Sequence, residues 1–383
     1  MHGSVLVRTF IFRKSRNYLP CQHVPRQLAD QLDAHTIVLR HVAASAVVAG
    51  VAQAILAQVG RMSWDKARER GSVRGMRFMI WCLRLFGIRT ARLVSEPAIL
   101  YYFLTGRSAR RASREYLRRV AAFPEGLRAL GGEPNAWTSW MHFRTFGHSL
   151  LDRTCFWAGL GDRFEVDFPA RAELARPLAE KRGALLLGAH LGSIDVLRAL
   201  VTKKSTPVNI LMFADNAQKL HAVLKSIDPS LDFRAIQIEP GSIQFVLDLQ
   251  ACIARGEFVA LLGDRPELAS EKRTARASFL GAQAAFPLGP LWIAHLLECP
   301  VYLLFALKRA QNSYEVCLEP FAERILLDRE HRERDLQLWL ERYVRRLEAQ
   351  CLSTPLQWFN FYDFWSTDGA RQRAAAELHA ERV

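Results

Sequence analysis

The chain has 383 residues, half of them hydrophobic, which is enough for one large domain or two ordinary ones with a core that needs no metal or disulfide. Its seven cysteines are scattered without a C-x-x-C pair, which argues against a zinc site or a disulfide framework and favours a reducing, cytoplasmic environment. The net charge is +14, and residues 1–150 carry 23 basic and 8 acidic side chains, whereas the remainder carries 29 and 30. This basic half predicts an anionic partner: a phospholipid surface, nucleic acid or an acidic carrier protein.

Residues 1–61 are predicted to be an extension outside the main domain. Positive charge follows the apolar start instead of preceding it, so the first 20 residues do not match a secretory signal peptide. Residues 42–59 form an apolar helix candidate, but alanines and glutamines make it weakly hydrophobic for a membrane span. We expect a packed or interfacial helix here, with a single span as the alternative.

Residues 62–160 are predicted to be a basic, helical, membrane-associating part. The nearly apolar run 76–88 is accompanied by arginines on one helical stripe, an arrangement that suits a helix lying in a membrane interface. Residues 96–104 continue this surface with aromatic side chains. The arginine-rich helix predicted over residues 108–119 suggests DNA binding as an alternative, yet no helix-turn-helix, zinc-finger or RNA-binding signature accompanies it. A further helix is predicted over residues 143–159.

From about residue 183 the pattern changes to short apolar strands that alternate with helices. Such alternation predicts an α/β fold with a mainly parallel central sheet and helices on both faces, over residues 183–320. The predicted strands are 184–189, 208–213, 233–238, 258–263 and 301–307, with 315–319 as an edge strand. The predicted helices are 194–201, 218–226, 242–255, 288–297 and 330–350, and residues 367–383 are predicted to be a frayed tail.

The segment 188–195 is the strongest candidate for chemistry. It places His190 in a glycine-flanked turn after a buried strand, at the sheet edge where α/β folds commonly hold their sites, and Asp195 follows five residues later. A carboxylate that accepts one imidazole N–H fixes the tautomer, so that the other nitrogen can take a proton from a hydroxyl or amine. The spacing therefore predicts His190 as a general base oriented by Asp195, with a structural turn histidine as the alternative.

A second polar pair, Asp264 and Arg265, follows the apolar run 258–263. It is expected at the same sheet edge, where Arg265 would hold a phosphate or carbonyl, with Arg273 and Arg276 nearby for an anionic head group. A structural ion pair is the alternative. Four ring-bearing side chains could line an acyl pocket: Phe279, Phe286, Trp292 and His295. Residues at such spacing are also typical of an ordinary hydrophobic core, which is the alternative.

The segment Gly188-Ala-His-Leu-Gly-Ser-Ile-Asp195 resembles the His-x4-Asp/Glu block of the lysophospholipid acyltransferase superfamily. Within it, the chain is most similar to the branch of bacterial lipid A lauroyl and myristoyl acyltransferases and their predicted-acyltransferase relatives. The likeness covers residues 62–366. Its blocks, in chain order, are 64–72, 102–103, 113–117, 143–152, Gly263-Asp-Arg265, Phe279-Leu-Gly281, Phe286-Pro-Leu-Gly-Pro290 and Pro355-Leu-Gln-Trp-Phe359.

Two departures from the family pattern concern the acceptor. Ser193-Ile-Asp195 stands where lipid A enzymes often have Asn-Trp-Glu. Phe286-Pro-Leu-Gly289 lacks the carboxylate of the Phe-Pro-Glu-Gly block that contacts the acceptor phosphate in glycerophospholipid enzymes. We therefore do not assign a glycerol phosphate acceptor.

The resemblance implies a glycerolipid acyltransferase-like fold and acyl transfer from an acyl carrier protein or coenzyme A thioester to a hydroxyl or amine of a membrane lipid or glycolipid. The implied acyl transfer needs no metal or redox cofactor. The implied location is the cytoplasmic face of a bacterial inner membrane, on anionic phospholipid, with no nucleic acid. Oxyanion donors would come from N–H groups near Gly192 and Ser193, or from Arg265, and Phe279 and Gly281 would contact substrate. A non-catalytic, membrane-surface lipid-binding protein of the same fold is the alternative; a hydrolase is disfavoured because G-x-S-x-G is missing.

Overall fold

The computed structural model describes the greater part of the chain from residue 73 to residue 366. The expected apolar helix at 42–59, the frayed tail at 367–383, the helix at 218–226 and the side chain of Arg273 lie outside the described residues, as do both proposed domain boundaries. The described residues are 73–157, 159–174, 180, 182–196, 208–213, 235–238, 243–265 and 274–366.

In the part of the chain that the structure describes, four α-helices precede the sheet. Helix α1 is divided by Gly87, whose φ of 75° and ψ of 172° are not helical. Helix α3 begins with a proline at its first position and ends at the left-handed Gly131, the usual signals for a short helix. The helix bounds are Val73–Thr105 (α1), Arg107–Ala121 (α2), Pro124–Leu130 (α3) and Ala136–Trp157 (α4).

A seven-stranded sheet forms the centre of the fold, in the order β1-β9-β8-β2-β5-β3-β4. Every pairing is parallel except that between β8 and β9, which is antiparallel. The strands are Glu165–Asp167 (β1), Ala184–Gly188 (β2), Val208–Phe213 (β3), Ala235–Ile238 (β4), Phe258–Leu262 (β5), Val301–Ala310 (β8) and Ser313–Ala322 (β9). The prediction of a mainly parallel α/β sheet is therefore confirmed.

The strand predicted over residues 315–319 is longer than expected and is not an edge strand. It spans Ser313–Ala322 and lies between β8 and the three-residue β1, which pairs with its first residues. The sequence analysis also missed a separate antiparallel hairpin, Thr274–Phe279 (β6) with Ala282–Pro287 (β7). The later helices agree with expectation within about three residues: Ile243–Ala254 (α5), Gly289–Leu297 (α6) and Arg332–Ser353 (α7).

Helices cover both faces of the sheet. Alternate side chains of β2 point to opposite sides, so Leu185 and Leu187 join one core cluster and Ala184 and Leu186 join another. The first cluster includes side chains of α5, α6 and α7, and the second includes side chains of α1 and α4. The five cysteines among the described side chains are free thiols, and four of them are buried: Cys155, Cys252, Cys299 and Cys351.

A buried carboxylate fastens the amino-terminal helices to the sheet. Asp152 of α4 is fully buried and accepts from Arg92 of α1 at 2.7 Å. It also accepts from the Tyr314 hydroxyl at 2.7 Å and from the Lys308 ammonium of the β8–β9 hairpin. Arg92 in turn donates to Asn312 at 2.9 Å, between β8 and β9. One carboxylate thus pairs with two cations, the buried Arg92 and the partly buried Lys308, and joins three elements.

Among the helices that the structure describes, none combines the length and the apolar character that a membrane crossing requires. The predicted association of α1 and α2 with a membrane interface stays a prediction. The weakly apolar candidate at residues 42–59 lies outside the described residues.

Replacing Asp152 by asparagine is expected to lower the free energy of unfolding by about 3–5 kcal/mol, because the two cations lose their counter-charge. Urea unfolding followed by tryptophan fluorescence measures this change. The exposed Glu330 is the matched control, since Glu330→Gln is expected to change the free energy by less than about 0.5 kcal/mol. An equally small change for Asp152→Asn would contradict the role of this cluster.

Candidate active site

Two neighbouring parallel strands bring His190 and Asp264 together. Gly188 ends β2 and pairs in register with Leu262, which ends β5. His190 and Asp264 each follow their strand end by two residues, so both emerge at the same place on the same sheet edge. This is the carboxyl edge at which α/β sheets commonly hold their sites.

Asp264 holds His190 by its ring and by its backbone. Its Oδ1 atom lies 2.8 Å from the ring Nδ1, and the backbone N–H of His190 donates to both carboxylate oxygens at 3.0 and 3.1 Å. The Trp358 indole N–H donates to Oδ2 at 3.0 Å. Asp264 is fully buried, whereas the His190 side chain is 33% exposed. A buried carboxylate therefore fixes a ring that solvent can reach.

The prediction that Asp195 orients His190 is wrong. Asp195 instead pairs with Arg153 of α4, with 2.9 Å between Oδ2 and Nε. The prediction took the five-residue spacing as a sign of closeness. Leu191 bridges to Trp358 and Gly192, with its positive φ, bridges to Ala306 of β8, and the chain then leads Asp195 to Arg153.

The loop after His190 is fixed by backbone hydrogen bonds. Gly192 N–H donates to the Gln357 carbonyl and Ser193 N–H donates to the Ala306 carbonyl, both at 2.9 Å. These two N–H groups were predicted as oxyanion donors, but each already has an acceptor. Gly192 has a φ of +71°, and a Cβ atom there would lie 2.0 Å from the Ala306 oxygen, so only glycine fits.

Burial and neighbouring charges favour a neutral His190 beside an ionised Asp264. Burial lowers the pKa of His190, Arg265 lowers it further, and Asp264 opposes both effects. Burial raises the pKa of Asp264, but His190, Arg265 and the Trp358 N–H outweigh this effect and lower it to about 2. With Nδ1 donating to the carboxylate, Nε2 is left as the unprotonated nitrogen, which is the state required of a general base.

Arg265 borders the pair as predicted, and part of its guanidinium is already engaged. Its Nη2 group donates to the Phe359 carbonyl, and its guanidinium carbon lies 5.9 Å from the centre of the Tyr362 ring. Its positive charge is close enough to lower the pKa of His190. Of the residues predicted to bind substrate, Arg265 therefore lies at the site, and Asp264 lies there as the partner of the His190 ring.

The remaining predicted site residues lie elsewhere. Phe279 and Phe286 are fully buried, and their rings pack against the aromatic core around Phe364. Gly281 is the exposed turn of the β6–β7 hairpin, with a φ of +77°. Arg276 lies on the same hairpin, in a groove of about 320 Å³ shared with polar side chains of α7. His295 and Trp292 lie together on α6, where the Nδ1 atom of His295 lies 3.2 Å from the Ile325 carbonyl oxygen.

The carboxy-terminal segment 357–359 belongs to the site, which the sequence analysis did not anticipate. It runs beside residues 190–192: Phe359 N–H donates to the His190 carbonyl at 2.9 Å, and Gln357 accepts from Gly192. Trp358 reaches Asp264 from this segment. The available signal was the motif 355–359 itself, a tryptophan between polar and aromatic residues, but its spacing does not reveal its partner.

Comparison with known proteins adds no independent assignment. No protein-family model matches the chain, and no curated protein matches it. Among the described residues, no group of three histidine, cysteine, aspartate or glutamate side chains is placed to hold a metal ion. The function of the site is therefore inferred from the contacts of His190 and Asp264 and from the motif order of the sequence.

The titration midpoint of His190, followed by NMR of ring-labelled protein, is expected below the ordinary value of about 6.5. Replacing Asp264 by asparagine is expected to lower it further, because the charge that raises the pKa of His190 is removed. Replacing Asp195 by asparagine is the matched control and is expected to change the midpoint much less, since Asp195 contacts Arg153. A larger change in Asp195→Asn than in Asp264→Asn would refute this pairing.

Proposed function

We propose that the protein is an acyltransferase that moves a fatty acyl group from a carrier thioester to a hydroxyl or amine of a membrane lipid or glycolipid. The observation that carries this proposal is the contact between the buried Asp264 carboxylate and Nδ1 of the partly exposed His190 ring. The ordered sequence blocks of the lipid A acyltransferase-like branch supply the reaction class. The proposed location is the cytoplasmic face of a bacterial inner membrane.

The proposed reaction begins when Nε2 of His190 takes the proton of the acceptor hydroxyl or amine, whose oxygen or nitrogen attacks the thioester carbonyl. The resulting imidazolium is stabilised by Asp264, which keeps its negative charge throughout. The tetrahedral intermediate collapses and breaks the carbon–sulfur bond. The leaving thiolate takes the proton from His190, which regenerates the base and releases the free carrier thiol.

Charge develops on the carbonyl oxygen in this reaction and needs a positive or hydrogen-bonding partner. The N–H groups of Gly192 and Ser193 are bonded to carbonyl oxygens and are not assigned this role. Arg265 lies within electrostatic reach of His190 and is the best-placed cation for it. We therefore assign the oxyanion, or an adjacent phosphate of the substrate, to Arg265.

An apolar stripe on α1 supports membrane binding by this enzyme. In the helical segment 88–105, Leu93, Leu100 and Leu104 recur at helical spacing and are 73%, 45% and 62% exposed. Tyr101 is exposed beside them.

Aromatic side chains of α4 lie next to this stripe. Trp137 is exposed, one turn from Trp140, and the Trp140 ring lies 5.5 Å from that of Phe103 on α1. Exposed leucines with aromatic residues nearby are typical of helices that lie in a membrane interface.

An arginine stripe follows on the next helix after a single glycine. Four exposed side chains of α2 recur at positions i, i+4, i+7 and i+11, and the buried face of the same helix carries alanine, tyrosine, leucine and valine. Each arginine near an anionic bilayer contributes about 1 kcal/mol of attraction. The stripe also suits the acidic surface of a carrier protein, so it is compatible with both proposed partners. Its members are Arg107, Arg111, Arg114 and Arg118.

Acyl transfer from labelled acyl carrier protein or acyl coenzyme A into a lipid extract tests the catalytic assignment. His190→Ala removes the base, and Asp264→Asn favours the wrong tautomer, so each is expected to reduce kcat by roughly 10³–10⁴-fold. Asp195→Asn is expected to lose less activity than either, because Asp195 supports the loop through Arg153.

Two outcomes would count against this assignment. Equal turnover in the wild type, His190→Ala and Asp264→Asn would exclude both proposed roles. Lipid binding by the wild type without turnover on either thioester would favour a non-catalytic lipid-binding protein of the same fold. Mass spectrometry of the product would identify the acceptor and the length of the acyl chain.

Vesicle flotation tests the membrane surface. A triple variant of α1, Leu93→Gln, Leu100→Gln and Leu104→Gln, is expected to bind vesicles containing phosphatidylglycerol at least roughly tenfold more weakly, because three apolar side chains no longer enter the interface. A matched control changes Leu247, Leu326 and Leu338, which are 49%, 62% and 54% exposed on other elements. Equal binding by the two triple variants would contradict an interface at α1.

A further inference from the structure

The Trp358 side chain donates a hydrogen bond to the carboxylate behind His190. Its indole N–H reaches Oδ2 of Asp264 at 3.0 Å, while the other carboxylate oxygen faces the ring of His190 at 2.8 Å. The two carboxylate oxygens are thus shared between the proposed base and an indole that is fully buried. Any movement of this indole would be passed to the carboxylate and then to the base.

The indole is held from several sides. Its ring centre lies 4.9 Å from that of Tyr116 on α2, 5.2 Å from that of Phe279 on β6 and 5.0 Å from that of Phe364. These rings come from separate parts of the chain and leave the indole little freedom to rotate. Phe279, predicted as a substrate contact, therefore acts by packing against the residue that holds Asp264.

The backbone of the same residue is held by a buried histidine. His142 of α4 is fully buried, and its Nε2 lies 2.9 Å from the Trp358 carbonyl oxygen. Its Nδ1 lies 3.1 Å from the Ser113 hydroxyl. Burial lowers the pKa of His142 to about 4, so the ring is neutral at ordinary pH, with Nε2–H as the donor and Nδ1 as the acceptor. The indole N–H and the backbone carbonyl of Trp358 therefore both have hydrogen-bond partners.

A hydrogen bond to a buried carboxylate favours its ionised form, and such a bond to a charged group is among the stronger ones in proteins. Loss of the indole N–H would raise the proton affinity of Asp264 and, through their shared bond, that of His190. The carboxylate keeps its place at Nδ1, because the backbone N–H of His190 still donates to both of its oxygens. The charged or titratable groups nearest to this pair are Arg265, Arg153 and Tyr343.

We propose that Trp358 is a positioning residue, which orients the Asp264 carboxylate against His190 and is itself held in place by His142. The consequence for turnover rests on the proposed acyl transfer, whereas the consequence for the titration of His190 does not. Trp358 touches no reacting atom in this account. It acts on the base through Asp264 alone.

The test replaces Trp358 by phenylalanine, which keeps an aromatic ring and removes the N–H donor. We expect kcat to fall by roughly ten- to a hundredfold with little change in KM, because the carboxylate that orients the base loses one of its donors while substrate contacts remain. The titration midpoint of His190 and the acidic limb of the pH–rate profile are expected to move to higher pH. This direction is opposite to that expected for Asp264→Asn.

The matched control is Trp365→Phe. Trp365 packs on the same aromatic core, 5.9 Å from the centre of the Phe279 ring, but its indole N–H donates to the Phe279 carbonyl at 3.1 Å instead of to the site. It is expected to leave the midpoint of His190 and kcat near their wild-type values. Thermal unfolding of both variants shows whether either has lost the fold.

A second variant covers the case in which Trp358→Phe fails to fold. Site-specific incorporation of the benzothiophene analogue of tryptophan at position 358 replaces the N–H by sulfur and keeps the size of the ring. It is expected to reproduce the upward movement of the His190 midpoint. An unchanged midpoint in a folded protein, with either replacement, overturns the proposal. Absence of turnover in the wild type would instead count against the proposed function and leave the titration test intact.

Discussion

The site depends on one buried carboxylate. Asp264 follows the carboxyl end of β5 and accepts hydrogen bonds from the ring and backbone of His190 and from the Trp358 indole. A buried anion is costly unless it is paired and hydrogen-bonded, so these three donors are a condition for its presence. The same donors join the end of β2, the end of β5 and the carboxy-terminal segment. The site and the local fold are therefore maintained by the same contacts.

This constraint explains why sequence blocks far apart in the chain occur together. The block at 188–195 supplies the proposed base, the block at 263–265 supplies the carboxylate that contacts it and a cation, and the block at 355–359 supplies the indole. The blocks at 113–117 and 143–152 lie on helices that support them: Tyr116 packs on Trp358, and Asp152 fastens α4 to the β8–β9 hairpin. Some of the ordered blocks thus contact His190 directly, and others hold the residues that make those contacts.

The sequence predicted the position of those elements whose bounds are set by the hydrophobic pattern. The strands at 184–189 and 208–213 were predicted within one residue, because fully buried parallel strands are continuous apolar runs. The partner of His190 was mispredicted because chain spacing measures distance only when the local conformation is known, and here Leu191 and Gly192 bridge to Trp358 and Ala306. The sheet order, which places β5 beside β2, was needed to find Asp264. The β6–β7 hairpin was missed although β6 alternates polar and apolar residues, because most of the apolar residues of both strands are alanines, which are depleted in strands.

The most direct measurement of the central claim is the NMR resonance of the proton on Nδ1 of His190. A ring N–H that donates to a buried carboxylate at 2.8 Å is expected to resonate downfield of the backbone amides at neutral pH. The account predicts that this resonance is present in the wild type and in Asp195→Asn and is lost in Asp264→Asn. Its persistence in Asp264→Asn, or its loss in Asp195→Asn alone, would contradict the assignment of Asp264 as the partner of the base.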